Sequence, residues 1–224
     1  KAIALMPSNA EAHMWKGWAS RRAGLWDQAI DSMLRSVKLN PRVMFNLLET
    51  GQTLSYVGRY EEAMEWTEAA YRLDPDNFWA KTYLALMELI VNGNTERAAN
   101  LVVGAQFTSD WGFSHTDWVV QMLSGRFDSA LEIANSFPGE GVFDVAAIYL
   151  REILIAQSMK ALGRDSEALD SAHEALNRLA QIKQNGVDDF RVATTELEAH
   201  AILGDKAIVS GLVRKVLSTK PADA

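Results

Sequence analysis

The side chains best suited to chemistry are four histidines, His13, His115, His173 and His200. None has a second histidine one helical turn away, the spacing that puts two metal ligands on one face, and no His-Glu-x-x-His pattern occurs. His115 and Asp117 come nearest to a ligand pair, but side chains two apart on a helix do not face each other. All four therefore read as surface or packing histidines. Cysteine is absent, which removes disulfides, thiolate zinc sites and cysteine nucleophiles, and fits a reducing compartment. The glycines stand singly, so no loop is built to cradle phosphate, and no nucleophile elbow is visible. Glu61, Glu62, Glu65 and Glu68 form one dense acidic group, which on a helix reads as a solvated face. No catalytic set, metal site or cofactor is expected, and the chain reads as a non-enzyme.

Composition narrows the class further. Of 224 residues, 48% are hydrophobic, enough for a sizeable core. The formal net charge is −7, and Lys and Arg are scattered, whereas phosphate-backbone binding needs them clustered. Nucleic acid is not an expected partner. No apolar run is long enough to span a bilayer and no signal-peptide pattern opens the sequence as given, so the expectation is a cytoplasmic protein without membrane partners.

The elements that carry these residues are set by a repeat. Pro7, Pro41 and Pro75 stand 34 residues apart, as do Gly24 and Gly58, and Ala29 and Ala63. Each slot has a physical role. The glycine ends a first helix in a left-handed cap, the alanine lies where two helices cross closely, and the proline cannot continue the second helix. With this period and the Gly58-Arg59-Tyr60-Glu61-Glu62-Ala63 turn, the sequence resembles the tetratricopeptide family. The resemblance implies an all-α fold, a right-handed α-α superhelix (tetratricopeptide-like solenoid) of about six helical hairpins, in one domain over 1–224. The repeats fall near 10–43, 44–77, 78–110, 111–142, 143–189 and 190–221. Residues 1–7 match the end of a preceding second helix, so the sequence is expected to be part of a longer protein.

The later repeats are irregular. The first helix of the third carries one extra residue before Gly93. Turn glycines then follow at Gly125, Gly163 and Gly204, spaced 32, 38 and 41 residues. The fifth repeat is expected to open on a long first helix from about Phe143. Gln106–Asp110 and Ser136–Gly141 are the expected irregular connections, the second holding the breaker Phe137-Pro138-Gly139.

In the tetratricopeptide family the first helices line a concave surface, and their positions 2, 5, 9 and 12 share one stripe. That stripe reads Glu11, Met14, Trp18 and Arg21, then Phe45, Leu48, Gln52 and Ser55, then Trp79, Thr82, Leu86 and Leu89. Met14, Trp18, Arg21, Phe45, Gln52 and Trp79 are the candidate protein-binding residues, because tryptophan so often anchors interfaces. Some members of the family grip a partner's C-terminal carboxylate with Lys and Asn at positions 5 and 9. Here Met14, Trp18, Leu48 and Gln52 stand there, which argues against that grip. The remaining tryptophans are read as packing residues, Trp26 as an inter-helix plug in the slot of Tyr60, and Trp15, Trp66 and Trp118 within or between hairpins. The expected function is a scaffold that binds a protein or peptide in its groove, with self-association through the N-terminal end as a further expectation. A looser similarity, around Leu5-Met6-Pro7-Ser8-Asn9-Ala10-Glu11-Ala12-His13, is to repeat regions that follow class III adenylate cyclase or winged-helix domains in bacteria. It implies the C-terminal regulatory part of a larger signalling enzyme or transcription regulator.

Overall fold

The structure is a computed structural model that describes residues 6–102, 111–137, 141–143 and 147–219. Six turn glycines organise it. Gly24, Gly58, Gly93, Gly125, Gly163 and Gly204 all have φ between 61° and 81°, a region that costs an L-residue dearly and glycine nothing. Each lies between two helices that pack together as a hairpin.

The chain divides into two compact units, one running to Gln106 and the other from Phe107 to Lys220. The first holds α1 (Ala10–Arg22), α2 (Trp26–Leu39), α3 (Met44–Tyr56), α4 (Tyr60–Leu73), α5 (Phe78–Met87) and α6 (Thr95–Val102). Each helix packs on the next, and the first helices α1, α3 and α5 also touch one another in order. The second holds α7 (Trp111–Leu123), α8 (Phe127–Ser136), α9 (Arg151–Ala161), α10 (Asp165–Gln184), α11 (Phe190–Leu203) and α12 (Lys206–Thr219). Asn9, Asn77 and Asp189 cap α1, α5 and α11 by accepting from first-turn N–H groups.

Hairpin crossings are sealed by the small-residue slot. Ala29, Ala63, Ala98, Ala130 and Ala168, each five residues past its turn glycine, are all 0% exposed. In the second hairpin the approach is closer still, because Gly51 of α3 faces the backbone of α4. A Cβ there would stand 2.7 Å from Thr67 Oγ1 and 3.0 Å from the Ala63 carbonyl oxygen, and Thr67 is itself held by donating to that carbonyl. Gly17, in the same slot of α1, would meet only the side chain of Met33.

The extra residue before Gly93 is taken up by a π turn over Glu88–Asn92. Its ring closes with the Gly93 N–H donating to the Glu88 carbonyl, five residues back. The Glu88 side chain is 0% exposed. It pairs with Arg97 of α6 and accepts from Asn92 Nδ2 at 2.9 Å. Arg97 also reaches Glu68 of α4 at 3.3 Å, so one guanidinium ties the π turn to the neighbouring hairpin.

The fifth repeat departs from the sequence expectation. Its first helix, α9, does not begin near Phe143. Val142–Phe143 form β1, paired antiparallel with β2 (Ile148–Tyr149) in the register Val142↔Tyr149 and Phe143↔Ile148, and α9 starts only at Arg151. α8 has already ended at Ser136, with Phe137 extended at ψ 147°, Gly141 takes a positive φ of 78°, and β-branched and aromatic residues favour the extended form that follows. The surplus before Gly163 thus falls between α8 and α9, and beyond Gly163 α10 is itself long, 20 residues whose inward positions Ala168, Ala172, Ala175, Leu179 and Ile182 are all buried. Two aromatic assignments also change. Trp15 is 55% exposed rather than packed. In the slot shared by Trp26 and Tyr60, Trp26 is half-buried beside Tyr56 but Tyr60 is exposed. Residues 1–5 and 103–110, on which other expectations rested, lie outside the described residues.

The two glycine slots give a paired test. Alanine gains up to about 1 kcal/mol over glycine inside a helix. Gly51→Ala must push against backbone, so it should lose about 1–3 kcal/mol to overpacking. Gly17→Ala meets a flexible thioether, which can move aside, and should stay within about 1 kcal/mol of the parent. Urea denaturation of both variants checks this, and equal losses would show that the two crossings are not packed as described.

Candidate functional site

The first unit joins its first helices through a polar relay. Trp18 Nε1 of α1 donates to Glu49 Oε2 of α3. Arg21 Nη1 lies 3.3 Å from the same carboxylate oxygen and donates to Gln52 Oε1 at 3.0 Å. Gln52 Nε2 in turn bonds the Tyr83 hydroxyl of α5. The Arg21 guanidinium also lies over the Tyr56 ring, 5.2 Å from its centroid, a cation–π contact.

Aromatic rings cover this relay. Trp18 meets Trp15 edge-on at 4.7 Å and Phe45 edge-on at 6.2 Å between centroids. Trp79 stacks on Tyr83 at 6.3 Å and lies 4.8 Å from Phe78. The tryptophan N–H, the arginine and the amide are thus spent on internal partners, while the ring faces remain partly open.

Of the residues predicted from the stripe, Trp18, Arg21, Phe45, Gln52 and Trp79 are partly exposed and lie in this one network of contacts. Met14 is 8% exposed and offers little surface. Gln52 and Arg21 are bonded on both sides, so they orient their neighbours. Sequence reasoning missed Glu49 and Tyr83. Both stand one position past the stripe, and the signal that finds them is an offset. Trp18 to Glu49, Arg21 to Gln52 and Gln52 to Tyr83 are each 31 residues apart. Neighbouring first helices therefore meet about one turn short of the repeat.

Burial pushes the Glu49 carboxyl above its ordinary value, and the Arg21 guanidinium and the Trp18 N–H pull it back. The acidic group of α4 is different. Glu61, Glu62 and Glu65 are exposed, with Glu62 paired to Arg59 at 2.6 Å and Glu68 to Arg72 and Arg97. Among the histidines, His13 Nε2 donates to the Pro7 carbonyl at 3.0 Å, His200 Nδ1 bonds Asp205 at 2.8 Å and His173 is exposed. His115 contacts the rings of Trp118 and Tyr149, whereas Asp117 accepts from Gln121 at 2.7 Å. Among the described residues no three His, Asp or Glu side chains converge as metal ligands would, and no helix is long and apolar enough to cross a membrane.

With this geometry, the hairpin array defines the class of protein, a tetratricopeptide-type solenoid. The tetratricopeptide repeat family model matches residues 47–77, a span within α3 and α4 and the turn beyond. A tetratricopeptide repeat protein from Parabacteroides merdae ATCC 43184 superposes with a TM-score of 0.71 at 13% identity, over 99% of this chain and 84% of that one. PilW, a widely conserved type IV pilus biogenesis factor, gives 0.67 at 11% identity over 96% of each chain. YrrB, described as a tetratricopeptide repeat protein with an unusual peptide-binding site, gives 0.57 at 15% identity over 81% of this chain and 96% of that one. At such identities the likeness shows the fold. No curated protein matches the sequence.

The raised carboxyl of Glu49 has a signature in pH. A group protonated more readily in the folded state favours the fold at low pH, and that contribution is lost as pH rises from 4.5 through the folded value. Glu49→Gln cannot titrate. The stability of the parent relative to Glu49→Gln should therefore fall as the pH rises above 4.5, as read by denaturant titration at each pH. A flat difference would place Glu49 in contact with water.

Proposed function

We propose that the protein is a non-enzymatic interaction scaffold that holds a peptide or protein segment against the first-helix face of its opening repeats. Trp18, Phe45 and Trp79 are the anchors, and Arg21 and Gln52 tie the neighbouring Glu49 and Tyr83 into one relay. What supports this reading is one observation: partly exposed aromatic rings held against one another, with the Trp18 N–H donating to Glu49 and Trp79 stacked on the hydrogen-bonded Tyr83. A side chain already ordered loses little further freedom on binding, which leaves more of its contact energy as affinity. Trp15 widens the same apolar surface. The class is consistent with the reading, since YrrB is described as having a peptide-binding site.

The fitting ligand follows from the chemistry. Because Arg21 is already paired with Glu49, the surface presents rings rather than free charge. An extended or helical segment with one or two large apolar side chains matches it, and an acidic flank would meet Arg22, which is exposed.

Selection of a displayed random-peptide library on the intact protein supplies a ligand for measurement. Trp18→Ala and Trp79→Ala should each weaken it by about thirtyfold or more, equivalent to roughly 2 kcal/mol for a central anchor, with the fold retained by circular dichroism. A selected ligand whose affinity is unchanged in both variants would falsify the placement of the binding face.

A further inference from the structure

The second unit contains a cavity of about 170 Å³ between the first helices α7, α9 and α11 and the strand β2. Its lining includes His115 and Trp118 of α7, Tyr149 of β2, Gln157 of α9, and Thr194 and Glu198 of α11. Counted back from the turn glycines, Thr194 and His115 stand ten residues before Gly204 and Gly125, as Met14 does before Gly24. Glu198 and Gln157 stand six residues before theirs, as Trp18 does.

Glu198 is the exception among the enclosed glutamates. Glu49 has Arg21, Glu88 has Arg97, Glu152 has Arg178 at 3.1 Å and Glu196 has Lys183. Glu198 has no such cation among the described residues, and no Lys or Arg lines the cavity. An enclosed carboxylate without a partner is costly. Burial raises its pKa, as expected for a group with no counter-ion. His115 cannot serve as one, because burial lowers its pKa to about 4 and leaves the ring neutral near pH 7.

The hydroxyl and indole protons of the wall are committed elsewhere. The Thr194 hydroxyl donates to the Phe190 carbonyl at 2.8 Å, the Thr195 hydroxyl to the Ile148 carbonyl at 3.0 Å and Trp118 Nε1 to Ser158 Oγ at 3.0 Å. With those protons committed, the threonine lone pairs and the Glu198 carboxylate offer acceptors, beside the Gln157 amide. The rings of His115 and Tyr149 lie 4.4 Å apart, and His115 stacks on Trp118 at 5.8 Å. Aromatic faces attract cations, and a partnerless carboxylate beside them repels anions.

We propose that this cavity binds a small organic cation, an ammonium or guanidinium group on a short alkyl chain, with Glu198 as its counter-ion and His115, Trp118 and Tyr149 as its aromatic wall. The size agrees. A cavity of about 150 Å³ admits benzene, so this one holds on the order of six heavy atoms. The group arrives on a free amine or guanidine, or at the end of a Lys or Arg side chain. The site is separate from the aromatic face of the first unit and does not depend on it.

The test is calorimetry on the full chain with n-butylammonium, n-butylguanidinium and the neutral 1-butanol, beside capped tripeptides carrying one central Lys, Arg or norleucine. At least one cationic probe should bind at least tenfold more tightly than its neutral counterpart. Glu198→Gln should remove that preference while leaving the melting temperature unchanged or higher, because it deletes an unpaired charge. Binding confined to the free bases identifies a small amine as the ligand, and binding confined to the peptides identifies a partner's side chain; either supports the site. Equal affinity for cationic and neutral probes, no binding of any cation, or full cation affinity in Glu198→Gln overturns it. The first two readouts use the parent chain alone, so they stand even if the variant fails to fold.

Discussion

Close approach of two helices at a residue with no room to grow is the constraint on which this structure depends. Where Ala29, Ala63, Ala98, Ala130 and Ala168 are fully enclosed, the two backbones of a hairpin come near enough for the larger residues around them to interdigitate. In the first unit, Ile30, Leu54, Ala63 and Met87 form one such cluster, and Val37, Leu47, Leu48 and Ala70 another. Each cluster draws residues from successive helices. A hairpin in this arrangement does not own a core, and its apolar faces are buried only by its neighbours. Enlarging the crossing residue would separate both backbones and disturb the clusters on either side of them.

That constraint also explains the aromatic face of the first unit. Once the first helices are brought side by side, groups on α1, α3 and α5 come within hydrogen-bonding reach. Trp18, Arg21, Glu49, Gln52 and Tyr83 then satisfy one another across three repeats. The rings above them are held by that relay and by one another. In the second unit the corresponding helices enclose space instead. There β2 supplies Tyr149 as a wall, and the hydrophobic cluster of Ile148, Leu150, Ile153, Leu179 and Val192 seals the interior behind it.

Much of this was legible in the sequence because it is periodic and because only certain residues can fill the periodic slots. A left-handed cap excludes side chains, so the six turn glycines stand out even where their spacing drifts. The stripe Trp18, Phe45, Gln52 and Trp79 follows from helical geometry. Glu49 and Tyr83 did not follow, since they are bound through an offset between neighbouring helices that only packing creates. The strand pair before α9 was misread for another reason. Two residues per strand are too few to display alternation, and a short run such as Val142-Phe143 fits a buried helix as well as an extended segment. Trp15 did not follow either: it meets Trp18 edge-on at the surface and stays 55% exposed.

The π turn at Glu88–Asn92 acts as a phase corrector. An added residue in an α-helix rotates everything beyond it by about 100°, which in a stacked array would turn each later contact face away from its neighbour. Here the widened turn consumes the surplus locally. Gly93 still takes up its left-handed cap, Ala98 still reaches the crossing, and the Glu88–Arg97 pair fastens the correction to α6. Repeat length in such an array is therefore not a fixed quantum. Single-residue insertions become tolerable wherever one turn can widen around a buried anchor, so the period of the sequence can wander while the stacking of its hairpins stays in step.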